Sequence, residues 1–226
     1  MVQAKTVRLG FTKVGKLQFI SHLDLARTMS RVMVRAGVPI WYTEGFNPRP
    51  KLVFSLPLSI GTESICEFVD FKIVEEMPLD EISKRIGAQF APEMKVNGVW
   101  IPENKFTDIA WAEYEIRICT ECACEKALNK INEMLEKPLV VIKKSKSGEK
   151  EVDIRPLIKS CAVSLENQEI VMHAMLSCTS ADYLNPEYLV KAVAQKLSID
   201  FNNVESEYYS ILRTSVKLED GITDFR

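Results

Sequence analysis

One amphipathic helix with clear signals at both ends constrains the fold of this chain more than any other feature. Ser21 and Asp24 have the spacing of a capping box, with Asp in the place of Glu. Apolar residues then recur at helical spacing until Gly37, where a helix C-terminus is expected. Pro39 follows, and proline cannot continue a helix. The sequence therefore predicts a helix over about residues 21–36.

Strand and helix patterns occur twice in the same order along the chain. Each half reads as strand, helix, two strands, helix and strand, which is the order of a split βαβ unit. In the first half the helices are expected at residues 21–36 and 78–90 and the outer strands at 6–12 and 94–101, with three strand-like stretches between the helices, at 40–43, 52–56 and 68–74. In the second half they are expected at residues 111–119, 121–137, 158–165, 169–177, 186–197 and 204–216, with strands at 139–144 and 151–154 bracketing a basic turn. The sequence predicts an α+β fold of two tandem ferredoxin-like (βαββαβ) halves with antiparallel sheets. The expected domains are residues 1–104 and 105–226.

Composition places the chain among ordinary globular proteins. It has 226 residues, of which 46% are hydrophobic, and no apolar run approaches the roughly 18–20 residues of a membrane span. The N-terminus has no signal-peptide pattern, so the six cysteines are expected to be reduced thiols. We therefore expect a cytoplasmic protein that does not associate with membranes.

The charge distribution is uneven although the net charge is only −2. Residues 1–60 contain nine Lys or Arg against two Asp or Glu. Such an excess of cations indicates an anion-binding face. The alternative is that these cations pair with the acidic segment that follows them in sequence.

Basic and aromatic residues cluster in the helix and in the turn after it. The predicted nucleic-acid-binding residues are Arg27, Arg31 and Arg35 of the helix, Phe46, Arg49 and Lys51 of the turn, and Lys143, Lys144 and Lys146 of a later turn. Guanidinium groups suit phosphates and aromatic rings suit unpaired bases, so this mixture favours a single-stranded or looped RNA. The alternative is a solvated helix face with ordinary surface turns.

Three stretches of this sequence resemble one bacterial family. They are SHLDL from Ser21, the long stretch RAGVPIWYTEGFNPRPKLVFSLPLSIGTES from Arg35, and VDIRPLI from Val152. Together they resemble the radical-SAM-linked domain family, which stands alone or is fused to the C-terminus of a cobalamin-binding radical-SAM protein. The resemblance implies a radical-SAM protein as partner and no settled activity. The family's occurrence beside genes for ribosome and RNA processing supports RNA as the ligand.

His22 is the candidate for catalysis, because a helix N-terminus keeps a histidine neutral and able to act as a base. A packed, structural ring is the alternative.

Cys119, Cys122 and Cys124 have a spacing that could hold a metal, but a fourth ligand is missing. Cys119 and Cys124 could instead be buried. No CxxxCxxC motif is present, so any radical chemistry belongs to another polypeptide. No cofactor is expected.

These observations favour a non-catalytic accessory module that presents tRNA or rRNA to a partner radical-SAM protein. A metal-independent RNA-processing enzyme that uses His22 is one alternative. A docking scaffold that binds a protein partner and no RNA is another.

Overall fold

A computed structural model describes residues 4–145, 148–179, 181–202 and 206–226. Its contacts divide the chain into two compact units. The first contains Met1–Asp108 with Phe225–Arg226, and the second contains Ile109–Asp224. Strands pair antiparallel within each unit, so the α+β class with antiparallel sheets is confirmed. The predicted domain ranges, 1–104 and 105–226, stay predictions.

In the described part of the first unit, four strands pair in the order β4-β1-β3-β2. Its helices and strands are β1 (Lys5–Lys13), α1 (His22–Arg35), β2 (Val53–Phe54), β3 (Thr62–Ile73), α2 (Leu79–Gly87) and β4 (Val96–Trp100). A short 3-10 helix, Gly15–Phe19, leads into α1. The predicted strand at residues 40–43 is wrong, because the chain makes only single bridges there, from Ile40 to Ile73 and from Tyr42 to Pro50. The backbone leaves the sheet edge at this point to form a loop.

The hydrophobic core of the first unit lies between one face of its sheet and the two helices. Alternate residues of β1 (Val7, Leu9 and Phe11) pack there against the apolar side of α1, which includes Met29 and Met33. The opposite face carries the buried Arg8 and four aromatic rings, two of which, Phe106 and Phe225, stack on its guanidinium group. The rings are Phe68, Trp100, Phe106 and Phe225.

The second unit pairs four of its strands in the order β10-β5-β9-β8. Its elements are β5 (Trp111–Cys119), α3 (Glu125–Leu135), β6 (Val140–Ser145), β7 (Gly148–Asp153), β8 (Ile158–Glu166), β9 (Glu169–Ser177), α4 (Glu187–Leu197) and β10 (Tyr208–Lys217). The strands β6 and β7 form a separate two-stranded sheet. Strict alternation of buried and half-buried side chains along β5 explains why its bounds agree with the sequence pattern. None of the helices in the described part of the chain has the length and apolar character that crossing a bilayer requires.

Candidate nucleic-acid interface

The N-terminus of α1 is fixed by the expected capping interaction. Ser21 is the N-cap residue, and its Oγ accepts a hydrogen bond from the backbone N–H of Asp24 at 3.1 Å. The same hydroxyl donates to the Asp24 carboxylate at 2.7 Å, and Arg27 donates to it at 3.2 Å. The hydrogen bond from Ser21, followed by that from Arg27, holds the pKa of Asp24 below its usual range. Because α1 is stopped by Gly37 at a positive φ of 62°, its start and end are both set locally.

Three arginines form a row on α1 that we call the arginine ridge: Arg27, Arg31 and Arg35. All three are exposed, and they lie on the side of the helix away from its buried residues. Residues four apart on a helix are separated by about 6 Å along the axis. Arg27 forms an ion pair with Asp24, whereas the described residues offer Arg31 and Arg35 no salt-bridge partner. The ridge therefore presents cationic groups to solvent at regular intervals.

Residues 41–51 form a closed loop that we call the aromatic loop. Thr43 donates its backbone N–H to the Arg49 carbonyl at 2.9 Å, and the Arg49 N–H returns a bond to the Thr43 hydroxyl at 3.1 Å. Gly45 adopts a φ of 122°, a conformation that other residues rarely adopt. At the tip, Phe46 is fully exposed. A large apolar ring held in solvent by an organised loop is available to stack on a ligand.

The two predicted cations of the aromatic loop are both exposed. Arg49 lies on its returning arm, and the Lys51 Nζ lies 5.9 Å from the centroid of the Trp41 ring. The loop thus joins cationic and aromatic groups within one local structure.

The predicted lysines of the second unit are only partly described. Lys143 is half-buried, and its Nζ donates to the Tyr183 carbonyl at 3.4 Å and lies 5.6 Å from the Tyr188 ring centroid. The side chain of Lys144 and the whole of Lys146 lie outside the described residues. Lys143 belongs to a different unit from the arginine ridge. Its role in binding RNA stays a prediction.

His22 is the first residue of α1, and its exposed ring packs edge-on against Phe54 with centroids 5.2 Å apart. His22 and Phe54 also line a small cavity together with Lys13 and Glu67, two charged residues that are buried. The sequence analysis did not single out Lys13 or Glu67 as site residues. A signal was present, because Lys13 has the strand parity of the core residue Phe11.

The cysteine cluster does not form a metal site in the part of the chain that the structure describes. Cys119 is half-buried at the end of β5, while Cys122 and Cys124 are exposed. The prediction that Cys124 is buried is therefore wrong, and so is the prediction that it lies on the apolar face of a helix. It is the N-cap residue, because α3 begins at Glu125 and not at residue 121.

Comparisons with known proteins identify a family but no activity. A family profile described as an uncharacterized protein conserved in bacteria (DUF2344) matches residues 6–186. No curated protein matches the chain.

Solved structures show only distant likeness. A structure of a Cbf5-Nop10-Gar1 complex aligns at 10% identity and a TM-score of 0.46, over 92% of this chain and 48% of that one. The chain therefore spans about half the length of that protein. An unknown protein from Galdieria sulphuraria aligns at 8% identity and a TM-score of 0.28, over 93% and 99% of the two chains. A putative dyp-type peroxidase from Shewanella oneidensis aligns at 11% identity and a TM-score of 0.21, over 93% of each chain. Since the profile covers most of the sequence, the chain belongs to the DUF2344 family of proteins conserved in bacteria.

Proposed function

We propose that this protein is a non-catalytic RNA-binding module that presents tRNA or rRNA to a partner radical-SAM protein. The observation that carries the proposal is the exposure, within one unit, of the arginine ridge and of the aromatic loop with Phe46 at its tip. Guanidinium groups bind phosphate oxygens with two parallel hydrogen bonds, and an exposed ring stacks on an unpaired base. Single-stranded or looped RNA offers both groups together.

Charge supports an anionic ligand at this unit. The first 60 residues carry a strong excess of cations, and the arginine ridge and the aromatic loop contain five of them: Arg27, Arg31, Arg35, Arg49 and Lys51. A phosphate backbone would release counterions on binding to such a surface, so affinity would fall steeply as salt rises. An apolar docking contact would lack that dependence.

The proposal of a radical-SAM partner rests on the resemblance to radical-SAM-linked domains, together with the absence of a CxxxCxxC motif in this sequence.

For the fold, we propose that each unit is a ferredoxin-like half. The strand orders support this, because each sheet places its last strand beside its first, then its third and its second. In the second unit the hairpin of β6 and β7 is then an insertion after the first helix.

Binding to total cellular RNA, measured by cross-linking at two salt concentrations, tests the proposal. Wild-type protein should retain specific RNAs at low salt, and an Arg31→Glu, Arg49→Glu double variant should lose them. A Lys126→Glu, Lys130→Glu variant is the matched control, since it makes the same change in charge on the exposed face of α3. Equal enrichment by all three proteins, or none by wild type, would overturn the RNA function. The second result would leave docking of a protein partner as the function to examine.

A further inference from the structure

One edge of the second unit's sheet is formed by a long strand with a neighbour on one side only. The strand β8 pairs with β9 and ends the strand order. No other strand of the described chain pairs with it, and no described backbone group outside β9 forms a hydrogen bond to the backbone of residues 159–166. Such an edge exposes a row of N–H and C=O groups that can pair with another chain.

The turn after β8 determines which backbone groups face outward. Residues 167–168 form a two-residue turn with positive φ angles of 51° and 65°, and Glu166 and Glu169 face each other across it. In a hairpin of this kind the flanking pair forms its backbone hydrogen bonds inside the hairpin. Because the direction alternates along a strand, every second residue of β8 presents its N–H and C=O to the outer edge: Cys161, Val163 and Leu165.

The strand β8 lacks the features that usually protect a sheet edge. Proteins block edges with proline, with lysine or with β-bulges. β8 contains no proline, and Lys159 lies near its beginning, where the pairing with β9 is irregular. From residue 160 to residue 166 that pairing is regular. The edge strand β4 of the first unit differs, because it has only five residues, Gly98 at its centre and an irregular pairing with β1.

The sequence of β8 is complementary to itself when two copies run antiparallel. With a two-fold axis at Val163, that residue lies opposite Val163 of the second copy, and Cys161 lies opposite Leu165 of the second copy. All three side chains point to the same face as the core of the unit, since their partners on β9 are buried. Leu165 is 37% exposed in the single chain, and the apolar neighbour across the new pairing would cover it.

The other face of β8 is complementary in charge in the same register. Ser160 lies opposite Glu166 of the second copy, and Ala162 lies opposite Ser164. Glu166 accepts hydrogen bonds from Arg117 at 3.1 Å and from Ser164 at 3.3 Å within its own chain. A carboxylate has about four acceptor positions, so it can also accept one from a serine hydroxyl of the second copy. No two like charges meet across this pairing.

We propose that β8 is a dimerisation edge, at which a second copy of this chain extends the second unit's sheet antiparallel. A symmetric dimer uses the same surface twice, and β8 meets that requirement on both of its faces. About six backbone hydrogen bonds would join the two copies, two for each pair of outward-facing residues. The inference goes beyond the proposed function and does not rest on it, because the residues that carry it all belong to the second unit.

Sedimentation equilibrium tests the dimer and its register. Wild-type protein should be a dimer at about 100 µM. Ser160→Glu places two carboxylates opposite Glu166, one on each side of the axis, and should weaken the dimer about 10-fold. Ser160→Lys is the matched control, because it creates attractive pairs at the same two places and should strengthen the dimer. Both variants change an exposed side chain, so both should keep the wild-type melting temperature.

A proline at the axis tests the edge itself. Val163→Pro removes an outward N–H but no hydrogen bond to β9, so the variant should be monomeric with an unchanged circular dichroism spectrum. Monomeric wild type at about 100 µM, or equal effects of the two Ser160 variants, would overturn the inference. A dimer that persists in folded Val163→Pro would overturn it as well. In each of these cases binding to RNA by the first unit is measured separately, so the proposed function stands or fails by its own test.

Discussion

Arg8 and Asp70 form a buried ion pair. Removing the carboxylate should lower the free energy of unfolding by a different amount from removing the guanidinium. Arg8 donates to both carboxylate oxygens of Asp70, at 2.7 and 2.8 Å. The side chain of Arg8 is 1% exposed, while that of Asp70 is 17% exposed. Asp70→Ala removes the carboxylate partner of the buried Arg8 and leaves it with neutral partners, among them the carbonyl oxygens of Arg226 and Asn104 at 2.8 and 2.9 Å. It should lower the free energy of unfolding by about 4 kcal/mol, within the range for breaking a buried pair. Arg8→Met should cost less, about 2–3 kcal/mol, because water can solvate the remaining carboxylate and the methionine keeps the contacts with the surrounding rings.

Urea unfolding followed by tryptophan fluorescence measures both effects. In a Trp111→Phe background the signal comes from Trp41 and Trp100, which both lie in the first unit. Asp80→Ala is the matched control, since Asp80 forms an exposed pair with Lys84 at 3.7 Å and should contribute well under 1 kcal/mol. Equal losses for Asp70→Ala and Asp80→Ala, or a larger loss for Arg8→Met than for Asp70→Ala, would refute the reasoning from burial.

Three further predictions concern packing and ionisation. A Cβ at Gly98 would lie 2.8 Å from ring atoms of Trp100, so Gly98→Ala should cost about 1–3 kcal/mol and lower the melting temperature measured by circular dichroism. Hydrogen bonds from the Thr223 hydroxyl and from two backbone N–H groups lower the pKa of Asp220 from 3.8 to about 2. Its contribution to stability is therefore complete above pH 3.8 and lost as the pH falls toward 2, and an NMR titration should show Thr223→Val raising that pKa. Burial raises the pKa of the Cys161 thiol to about 11, so at pH 8 only about one thiol in a thousand is ionised and mass spectrometry should find it alkylated far more slowly than the exposed cysteines.

Local signals in the sequence were sufficient to predict the helices and most strands. The capping residue Ser21 and the terminating Gly37 define α1 because they act through their own backbone neighbourhood. The alternating pattern of β5 predicted its bounds correctly for the same reason, because alternation is also a local signal. The predicted strand at residues 40–43 failed because pairing depends on a distant partner, and Ile40 meets Ile73 only at a single bridge.

The candidate site was predicted less completely. The exposure of the arginine ridge follows from helical spacing alone. The burial of Lys13 and Glu67 was not predicted, because charged residues are typical of the surface, although their positions in β1 and β3 have the parity of core residues. Arg8 is buried by rings such as Phe106 and Phe225, which come from far along the chain, so no local pattern predicts its burial.

The salt dependence of RNA binding tests the central claim most directly. For wild-type protein, the logarithm of the binding constant should fall linearly with the logarithm of salt concentration, by about 0.7 for each phosphate neutralised on a single strand. An Arg31→Gln, Arg49→Gln variant should bind more weakly, with a slope shallower by about 1.4, the sum for two lost phosphate contacts. An unchanged slope and affinity in this variant would contradict the assignment of the arginine ridge and the aromatic loop as the RNA-binding surface.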